Sequence, residues 1–375
     1  DNQLGKAPFY FAFDFSATGV GRTEPGLGIA RLAERVDFHP EVVMRSKSFL
    51  GFHVTPIAGL RATHYGTSLA PGGASLQRLL GEFTVDVRAP SFEKVFSQPR
   101  WGQRFKHVVE TSGRYRLVRS RDPESLLDVV RYDQADILAE TSEFEYSLTN
   151  AILMRKDVPE GQAEKPQARQ LISWRLSQKY YFDPTFGGAL DPGRRNVFEP
   201  TISLTGFTFA QGRRLSPIVS VIKFSPFSNY DTELRADLSP SGGGVLNAGI
   251  TSHLRRGPVG LALADFFINR TAGLSTPLVP ANLLPSFHLL RAVATYGDVN
   301  RKGLSGAFGM DFNFTQKVAH QAVSQVSYNF GCFAVDFEYR RFAFGDIRRE
   351  NQYRMSLSLA NIGTFGNLKP REKLY

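Results

Sequence analysis

The chain has 375 residues, of which 45 are Lys or Arg and 35 are Asp or Glu, so its formal net charge is +10. It is longer than an ordinary single sandwich domain, yet no Ser/Gly tract, long charge run or low-complexity segment divides it. The longest apolar runs, such as VGLALA at 259–264, are far too short for a membrane-spanning helix, which excludes a helical membrane protein.

The aromatic content points to one class of protein. Thirty-one Phe and 13 Tyr against 2 Trp fit a membrane β-barrel with aromatic girdles and a polar interior. The excess of basic residues suggests a polyanionic partner, such as phospholipid headgroups or the phosphates of a glycolipid. Because the basic residues are spread along the whole chain, we predict no nucleic-acid partner.

Alternation with a period of two runs through the sequence from its start. FYFAFDFS places Phe9, Phe11, Phe13 and Phe15 on one face of a strand, because strand side chains alternate between faces. Sixteen strands are predicted, near 8–16, 36–46, 50–65, 81–90, 105–118, 141–154, 168–182, 215–225, 230–238, 244–255, 258–268, 287–297, 303–316, 322–330, 333–342 and 350–360.

The connections between these strands sort by length into two sets. Most on one side are long, namely 17–35, 66–80, 119–140, 183–214, 269–286, 317–321 and 343–349. Most on the other side are short, namely 47–49, 91–104, 226–229, 256–257, 298–302 and 331–332. Short periplasmic turns opposite long outer loops are typical of an outer-membrane barrel, whereas a soluble all-β protein has no reason to sort its loops. Two segments resist this scheme, the long 155–167 on the short side and a possible extra strand at 201–211.

Charged residues alternate with apolar ones in several strands and are predicted to face a wet lumen. In a soluble sandwich the same residues would face water and the apolar ones a core, so the loop sorting decides in favour of the barrel. The predicted lumen charges are Lys106, Glu110, Asp231, Glu233, Arg235, Asp237, Asp336, Glu338 and Arg340. Most inward charges in barrels only pair or solvate, and this simpler role stays open for each of them.

No local signature of catalysis or metal binding stands out. The seven His show no ligand spacing, one Cys cannot build a zinc site, and no GxSxG elbow is present. We therefore predict no enzyme activity, no metal and no cofactor. An outer-membrane enzyme acting on lipid remains a less favoured alternative.

Two central blocks resemble a known family. RFKHVVETSGRYRLV at 104–118 and VRYDQADILAETSEFEYSLTN at 130–150 are similar to the barrel of LptD, the outer-membrane family of lipopolysaccharide (LPS) assembly. The residues that carry the resemblance are Lys106, His107, Glu110, Tyr115, Arg116, Tyr132, Asp133, Asp136, Thr141, Glu143, Tyr146, Leu148, Thr149 and Asn150.

The resemblance implies an all-β fold, an antiparallel transmembrane barrel of the bacterial outer membrane. It also implies a conduit that inserts LPS into the outer leaflet through a lateral opening next to the last strand. The family barrel has about two dozen strands or more. We therefore expect residues 1–375 to be a single barrel region, the C-terminal part of a larger barrel whose periplasmic jellyroll and first strands are absent. The alternative is a complete sixteen-stranded, porin-like diffusion channel.

The partners implied are LPS, the outer-membrane bilayer and an LptE-like lipoprotein plug. A periplasmic LPS-bridge protein would dock through the missing N-terminal domain. In the family, two cysteines just before the penultimate strand form disulfides with cysteines of the periplasmic domain. NFGCFAV keeps Cys332 and has Gly331 at the other position, so Cys332 is the disulfide candidate, with a free thiol as the alternative.

The last strand, NQYRMSLSLAN, is predicted to form one wall of the lateral opening. Its lumen face would carry Arg354, Ser356 and Ser358. Its lipid face would carry Tyr353, Met355, Leu357 and Leu359.

Overall fold

The protein is an all-β chain. The structure, a computed structural model, describes residues 2–3, 8–21, 32–45, 48–96, 102–130, 136, 138, 140–156, 167–183, 214–240, 242, 244–268, 287–298, 301–344, 348–359 and 363–366. Within these ranges it forms nineteen strands and one short 3-10 turn at Glu124–Leu127. No helix in the described ranges has the length and apolar character needed to span a membrane.

Sixteen of the strands have nine or more residues, in agreement with the predicted number. The strands are β1 (Asn2–Gln3), β2 (Phe9–Gly21), β3 (Leu32–Met44), β4 (His53–Tyr65), β5 (Leu76–Arg88), β6 (Phe92–Val95), β7 (Gln103–Ser120), β8 (Thr141–Lys156), β9 (Arg169–Tyr181), β10 (Ile218–Phe227), β11 (Tyr230–Leu238), β12 (Val245–Arg256), β13 (Val259–Ile268), β14 (Phe287–Tyr296), β15 (Gly303–Asn313), β16 (Val318–Asn329), β17 (Phe333–Phe344), β18 (Arg348–Leu359) and β19 (Gly363–Gly366). Each predicted strand overlaps one of them. The possible extra strand at 201–211 lies outside the described residues.

The strands form one antiparallel sheet in which each long strand pairs with its neighbours in the chain. The series runs from β1 and β2 through to β18 and β19. Among the described residues the first two strands do not pair with the last two, so the sheet is not closed there. This up-and-down order is the order of an outer-membrane barrel wall, and the predicted fold class is confirmed.

The outer face of the sheet is apolar and exposed. Phe13, Leu263, Val326, Phe337 and Met355 have exposed fractions between 46% and 60%. A soluble protein rarely leaves a contiguous apolar surface of this kind in water. The inner face carries the alternate, polar positions, as expected when one face meets lipid and the other a wet lumen.

A one-residue bulge interrupts the alternation between β5 and β6. Arg88 pairs with Ser112, but Phe92 pairs with Val109, so one extra residue is inserted between the two pairs. Pro90 lies in the insertion and cannot donate a ladder hydrogen bond, which suits it to a bulge. In β5 the side chains at even residue numbers, such as Glu82, face inward, whereas in β6 those at odd residue numbers, such as Glu93, do so.

One charged pair breaks the rule on the outer face. Asp265 and His288 lie on the lipid side of β13 and β14, with Oδ2 and Nε2 3.0 Å apart. Phe267 and Phe314 flank the imidazole, with ring centroids 6.2 and 4.7 Å away. The pair lies near the long-loop end of these strands, where a membrane interface tolerates charge far better than the midplane does.

Connection length differs between the two ends of the sheet, as predicted. Two-residue turns join β10 to β11 and β12 to β13 at one end. Gly257, at a φ of 59°, supplies the left-handed residue that the second turn needs. At the other end, twenty residues separate β7 from β8. The short-turn end is therefore assigned to the periplasm and the long-loop end to the cell exterior.

The assignment of faces predicts different costs for the same substitution. Leu263 lies at the middle of β13 on the outer face, so Leu263→Arg should destabilise the protein by about 2–4 kcal/mol. Thr251→Arg is the matched control, because Thr251 faces the lumen on the neighbouring strand β12, and it should cost much less. Urea unfolding in lipid vesicles measures both costs. Equal losses would contradict the assignment.

Candidate functional site

The last long strand has a free edge over part of its length. β18 pairs with β17 from Arg348 to Leu359, but on its other side β19 pairs only with residues 356–359. Residues 348–355 have no strand partner on that side within the described part of the chain. These residues form the long-loop end of β18.

The first long strand has the matching feature. β1 pairs with Tyr10 and Phe11 of β2, at the short-turn end of that strand. Residues 12–21 have no described strand partner on that side. We call the two free edges, 348–355 and 12–21, the seam. Its short-turn end is covered on both strands, and its long-loop end is uncovered.

The lumen wall beside the seam holds two carboxylates, of which one is buried and the other half-buried. Glu338 is only 1% exposed and lies between Arg340, with Nε 3.1 Å from Oε1, and Arg354, with Nη1 3.8 Å from Oε1. Asp336 accepts hydrogen bonds from Ser327 and, at 3.0 Å, from Ser356. The structure thus brings together five of the residues singled out in the last two strands.

The other residues predicted for the last strand follow the pairing register. Tyr353 and Met355 are 64% and 57% exposed on the outer face, and they pair with Tyr339 and Phe337. Leu357 and Leu359 continue this outer row, while Ser358 pairs with Ala334 on the lumen side. This geometry gives the strand an apolar outer face and a slim, polar inner face.

The charges predicted for β11 all lie on the lumen face, and most of them are paired. Asp231 Oδ2 is 3.0 Å from His253 Nδ1, and Glu233 Oε2 is 2.9 Å from Lys223 Nζ. Arg235 Nε lies 3.6 Å from Asp237 Oδ1. The carboxylate of Asp237 is fully buried and also accepts from the amide of Asn247 at 3.1 Å.

The two charges predicted for β7 face the lumen but do not meet each other. Lys106 Nζ instead pairs with Glu93 Oε2 of β6, at 2.7 Å. Glu110 is exposed on the same face. All nine predicted lumen charges therefore share the face of the sheet opposite the exposed apolar side chains, in separate places along the wall rather than in one site.

A second buried cluster ties the β7–β8 connection to the inner wall. Asp136 is fully buried, and its Oδ1 accepts from Arg35 Nη1 at 2.8 Å and from Tyr65 Oη at 2.9 Å. Arg78 Nη1 donates to the Asp136 carbonyl at 3.2 Å. Because the three donors face inward from β3, β4 and β5, this part of the connection lies inside the lumen.

Apolar contacts support this placement. Leu126, Val129 and Val130 of the same connection are between 0% and 2% exposed. The amide of Leu69, in the β4–β5 connection, donates to the Asp128 carbonyl at 2.7 Å. Two connections from the long-loop end thus pack together over β3–β5 and fill part of the lumen.

Sequence reasoning found Asp136 only as part of the family resemblance and missed its partners. Arg35, Tyr65 and Arg78 are 101, 71 and 58 residues away in sequence. No local spacing reveals contacts over such distances. The one available signal was the inward position of each residue in the alternation of β3, β4 and β5.

The arrangement is suited to moving an amphiphile. Within the described residues no three His, Cys, Asp or Glu side chains gather as metal ligands would. The wall separates a charged interior from an apolar exterior, and the seam interrupts it at the long-loop end. Such an interruption would let a polar headgroup stay inside while acyl chains contact lipid.

The sequence was also compared with known protein families. The family model described as LPS transport system D, LptD, matches residues 2–258, more than half of the chain. No curated protein matches the chain.

The buried cluster predicts a specific effect of one substitution. Asp136→Asn removes the charge that neutralises Arg35, and loss of one partner of a buried ion pair typically costs about 3–5 kcal/mol. The β7–β8 connection should then leave the lumen more often, so trypsin added to intact cells should cleave it faster. Asp122→Asn, at an exposed position of the same connection, is the control and should change nothing. Equal cleavage of both variants would contradict the anchoring role of Asp136.

Proposed function

The chain belongs to the LptD family of LPS transport proteins, and from this membership and the geometry of the seam we propose that LPS leaves the barrel sideways, next to β18, with β2 as the facing free edge within this sequence. The general function, LPS transport and assembly at the outer membrane, follows from the family. Membership of this family favours a transporter over a porin-like channel or a lipid-modifying enzyme. The lateral route is our proposal.

The observation that carries the proposal is the position of the free edges. Hydrocarbon offers no water to unpaired backbone N–H and C=O groups, so the pairing of strands resists opening everywhere else in the wall. Residues 348–355 and 12–21 make no such pairing in the described structure, so separating them costs less. Both lie at the long-loop end, the height at which the outer leaflet would receive the lipid.

The inner face of β18 suits the passage of a headgroup. Ser356 and Ser358 are small, and they leave more room in the lumen next to the covered end of the seam than larger side chains would. Arg354 approaches Glu338 at 3.8 Å and donates to Gln352 Oε1 at 3.0 Å, and its positive charge would attract a passing phosphate. We assign these residues to guiding the lipid rather than to holding it.

We extend the proposal to the partners of the conduit. A polar lumen is compatible with a lipoprotein plug of the LptE kind, and LPS would arrive from a periplasmic bridge protein through a domain outside this sequence. The energy for transport comes from elsewhere in the cell, because nothing in a passive wall supplies it. We also propose that the protein resides in the bacterial outer membrane as a multi-pass barrel.

Cys332 is proposed to form a disulfide with a cysteine outside this sequence. It is exposed, in the turn between β16 and β17 at the short-turn end, and its thiol is free in the structure. That end is assigned to the periplasm, an oxidising compartment. Because the sequence contains one Cys, a partner must belong to another polypeptide segment.

Locking the seam tests the lateral route. In a Cys332→Ser background, pairs of cysteines, one within 351–355 and one within 14–18, should form disulfides that stop LPS from reaching the cell surface. Added reductant should restore export. A cysteine pair replacing Thr251 and Ala264, which face each other across the closed ladder of β12 and β13, is the control and should leave export unchanged. Normal surface LPS in fully oxidised seam variants would refute the route.

The disulfide has its own test. Protein isolated from cells under non-reducing conditions should migrate differently from the Cys332→Ser variant, and reduction should abolish the difference. A Ser327→Cys variant in the Cys332→Ser background controls for the presence of any thiol. If Cys332 in unreduced protein is freely alkylated and mobility does not change, the proposed bond does not exist.

A further inference from the structure

The outer face of the β17–β18 hairpin changes character along its length. Beginning at the short-turn end, the outward pairs are Phe333 with Leu359, Val335 with Leu357, Phe337 with Met355, Tyr339 with Tyr353 and Arg341 with Asn351. Three apolar pairs are thus followed by a tyrosine pair and then by a polar pair. A lipid with its acyl chains toward the periplasm and its headgroup toward the exterior has the same order of polarity.

The tyrosine pair marks the edge of the apolar band. The rings of Tyr339 and Tyr353 are 5.2 Å apart, and Tyr353 is 64% exposed. Tyrosines at this height form the aromatic girdle of outer-membrane barrels, with the ring in the lipid and the hydroxyl near the headgroups. The next pair, Arg341 with Asn351, therefore lies at headgroup level.

Arg341 brings an unbalanced positive charge to this level. It is exposed on the outer face, and none of its described neighbours on that face, Ala322, Tyr339, Ala343 and Asn351, carries a negative charge. The carboxylate of Glu338 lies on the opposite, lumen face of the same strand, where Arg340 binds it. The outer guanidinium thus keeps five N–H donors for a ligand.

Asn351 adds donors to the same place. Tyr339 Oη donates to Asn351 Oδ1 at 3.1 Å, which uses the carbonyl of that amide as an acceptor. The amide Nδ2 then presents two N–H donors beside Arg341. This surface therefore offers hydrogen-bond donors and positive charge, while its nearest carbonyl acceptor is already used. It favours a negatively charged ligand with many hydrogen-bond acceptors.

The position of these donors identifies the ligand class. Both residues lie on the hairpin that ends in the free edge of β18, and Asn351 itself belongs to residues 348–355. A phosphate is the anion that a lipid presents directly above its acyl chains, and arginine binds it through charge-assisted, bidentate hydrogen bonds. The apolar pairs below, such as Phe337 with Met355, contact the acyl chains of the same molecule.

We propose that Arg341, Asn351 and Tyr339 form an exit site that binds a phosphate of the LPS lipid anchor as the molecule leaves the seam. The inference rests on the proposed lateral route and adds a function to the outside of the wall. The site holds the emerging lipid in the outer leaflet, so the lipid does not slide back into the seam.

In-cell photo-crosslinking tests the site. A benzophenone amino acid replaces Tyr353, which preserves an aromatic side chain next to the site, and the crosslinked product is assayed for LPS. With Arg341→Gln the yield should fall about tenfold, because a charge-assisted bond to phosphate is lost. Arg341→Lys should give an intermediate yield, since it keeps the charge but not the bidentate geometry.

The matched control is Arg119→Gln. Arg119 is also exposed on the outer face at the long-loop end of its strand, β7, but far from the free edge of β18. It should leave the yield unchanged. With the purified full chain in detergent, LPS should crosslink about tenfold better than enzymatically dephosphorylated LPS, and phosphatidylglycerol should compete weakly.

Several results would contradict the exit site. The exit site is refuted if Arg341→Gln leaves the yield unchanged, if Arg119→Gln lowers it equally, or if dephosphorylated LPS crosslinks as well as LPS. Efficient capture of phosphatidylglycerol would show a general anionic-lipid contact and would also refute it. If the unsubstituted full-length protein that contains this sequence fails to restore surface LPS in cells depleted of their own transporter, the transport function itself fails. Normal export with an insensitive crosslink overturns the exit site alone.

Discussion

Backbone hydrogen bonding is the constraint on which the rest of this structure depends, because a strand in hydrocarbon must satisfy its N–H and C=O groups with neighbouring strands. The antiparallel ladders from β2 to β18 meet that requirement over most of the wall. They leave residues 12–21 and 348–355 as the place where it is not met in the described structure. The position of an opening in such a wall therefore depends on which strands pair, and not on any particular side chain.

The second constraint is charge in a confined space. Lumen carboxylates are held by cations or hydroxyls, as Glu338 is by two arginines and Asp136 by Arg35 and Tyr65. Buried charges need such partners, so their pairing stabilises the shape of the wall. The outer face also carries charges, among them Asp265 with its own partner His288 and Arg341 without a described carboxylate beside it. Both lie near the exterior interface.

Alternation predicted the strands well because each one has a lipid side and a wet side, which leaves a mark every second residue. The strand ends were less accurate: β2 extends to Gly21, five residues beyond the prediction, since Thr and Gly there lack an apolar signal. The bulge at Pro90 was not predicted, because one inserted residue changes which side chains face inward but leaves the composition of the strand the same. The free edges and the contacts of Asp136 depend on which strands meet, and a linear pattern holds no such information. The roles of the residues assigned to the lateral opening and of Cys332 remain predictions.

The buried contacts of Asp136 also bear on the order in which the barrel is built. They join elements 58 to 101 residues apart, whereas Ser327 and Asp336 of the β16–β17 hairpin are only 9 residues apart. Contacts close in sequence form early, and distant ones wait for the intervening chain to be in place. Asp136 can meet Arg35 and Arg78 only when β3, β5 and the β7–β8 connection are all in place. Its burial therefore requires that this part of the wall has been assembled, and a chain inserted only as far as β5 would lack the ion pair between Arg35 and Asp136.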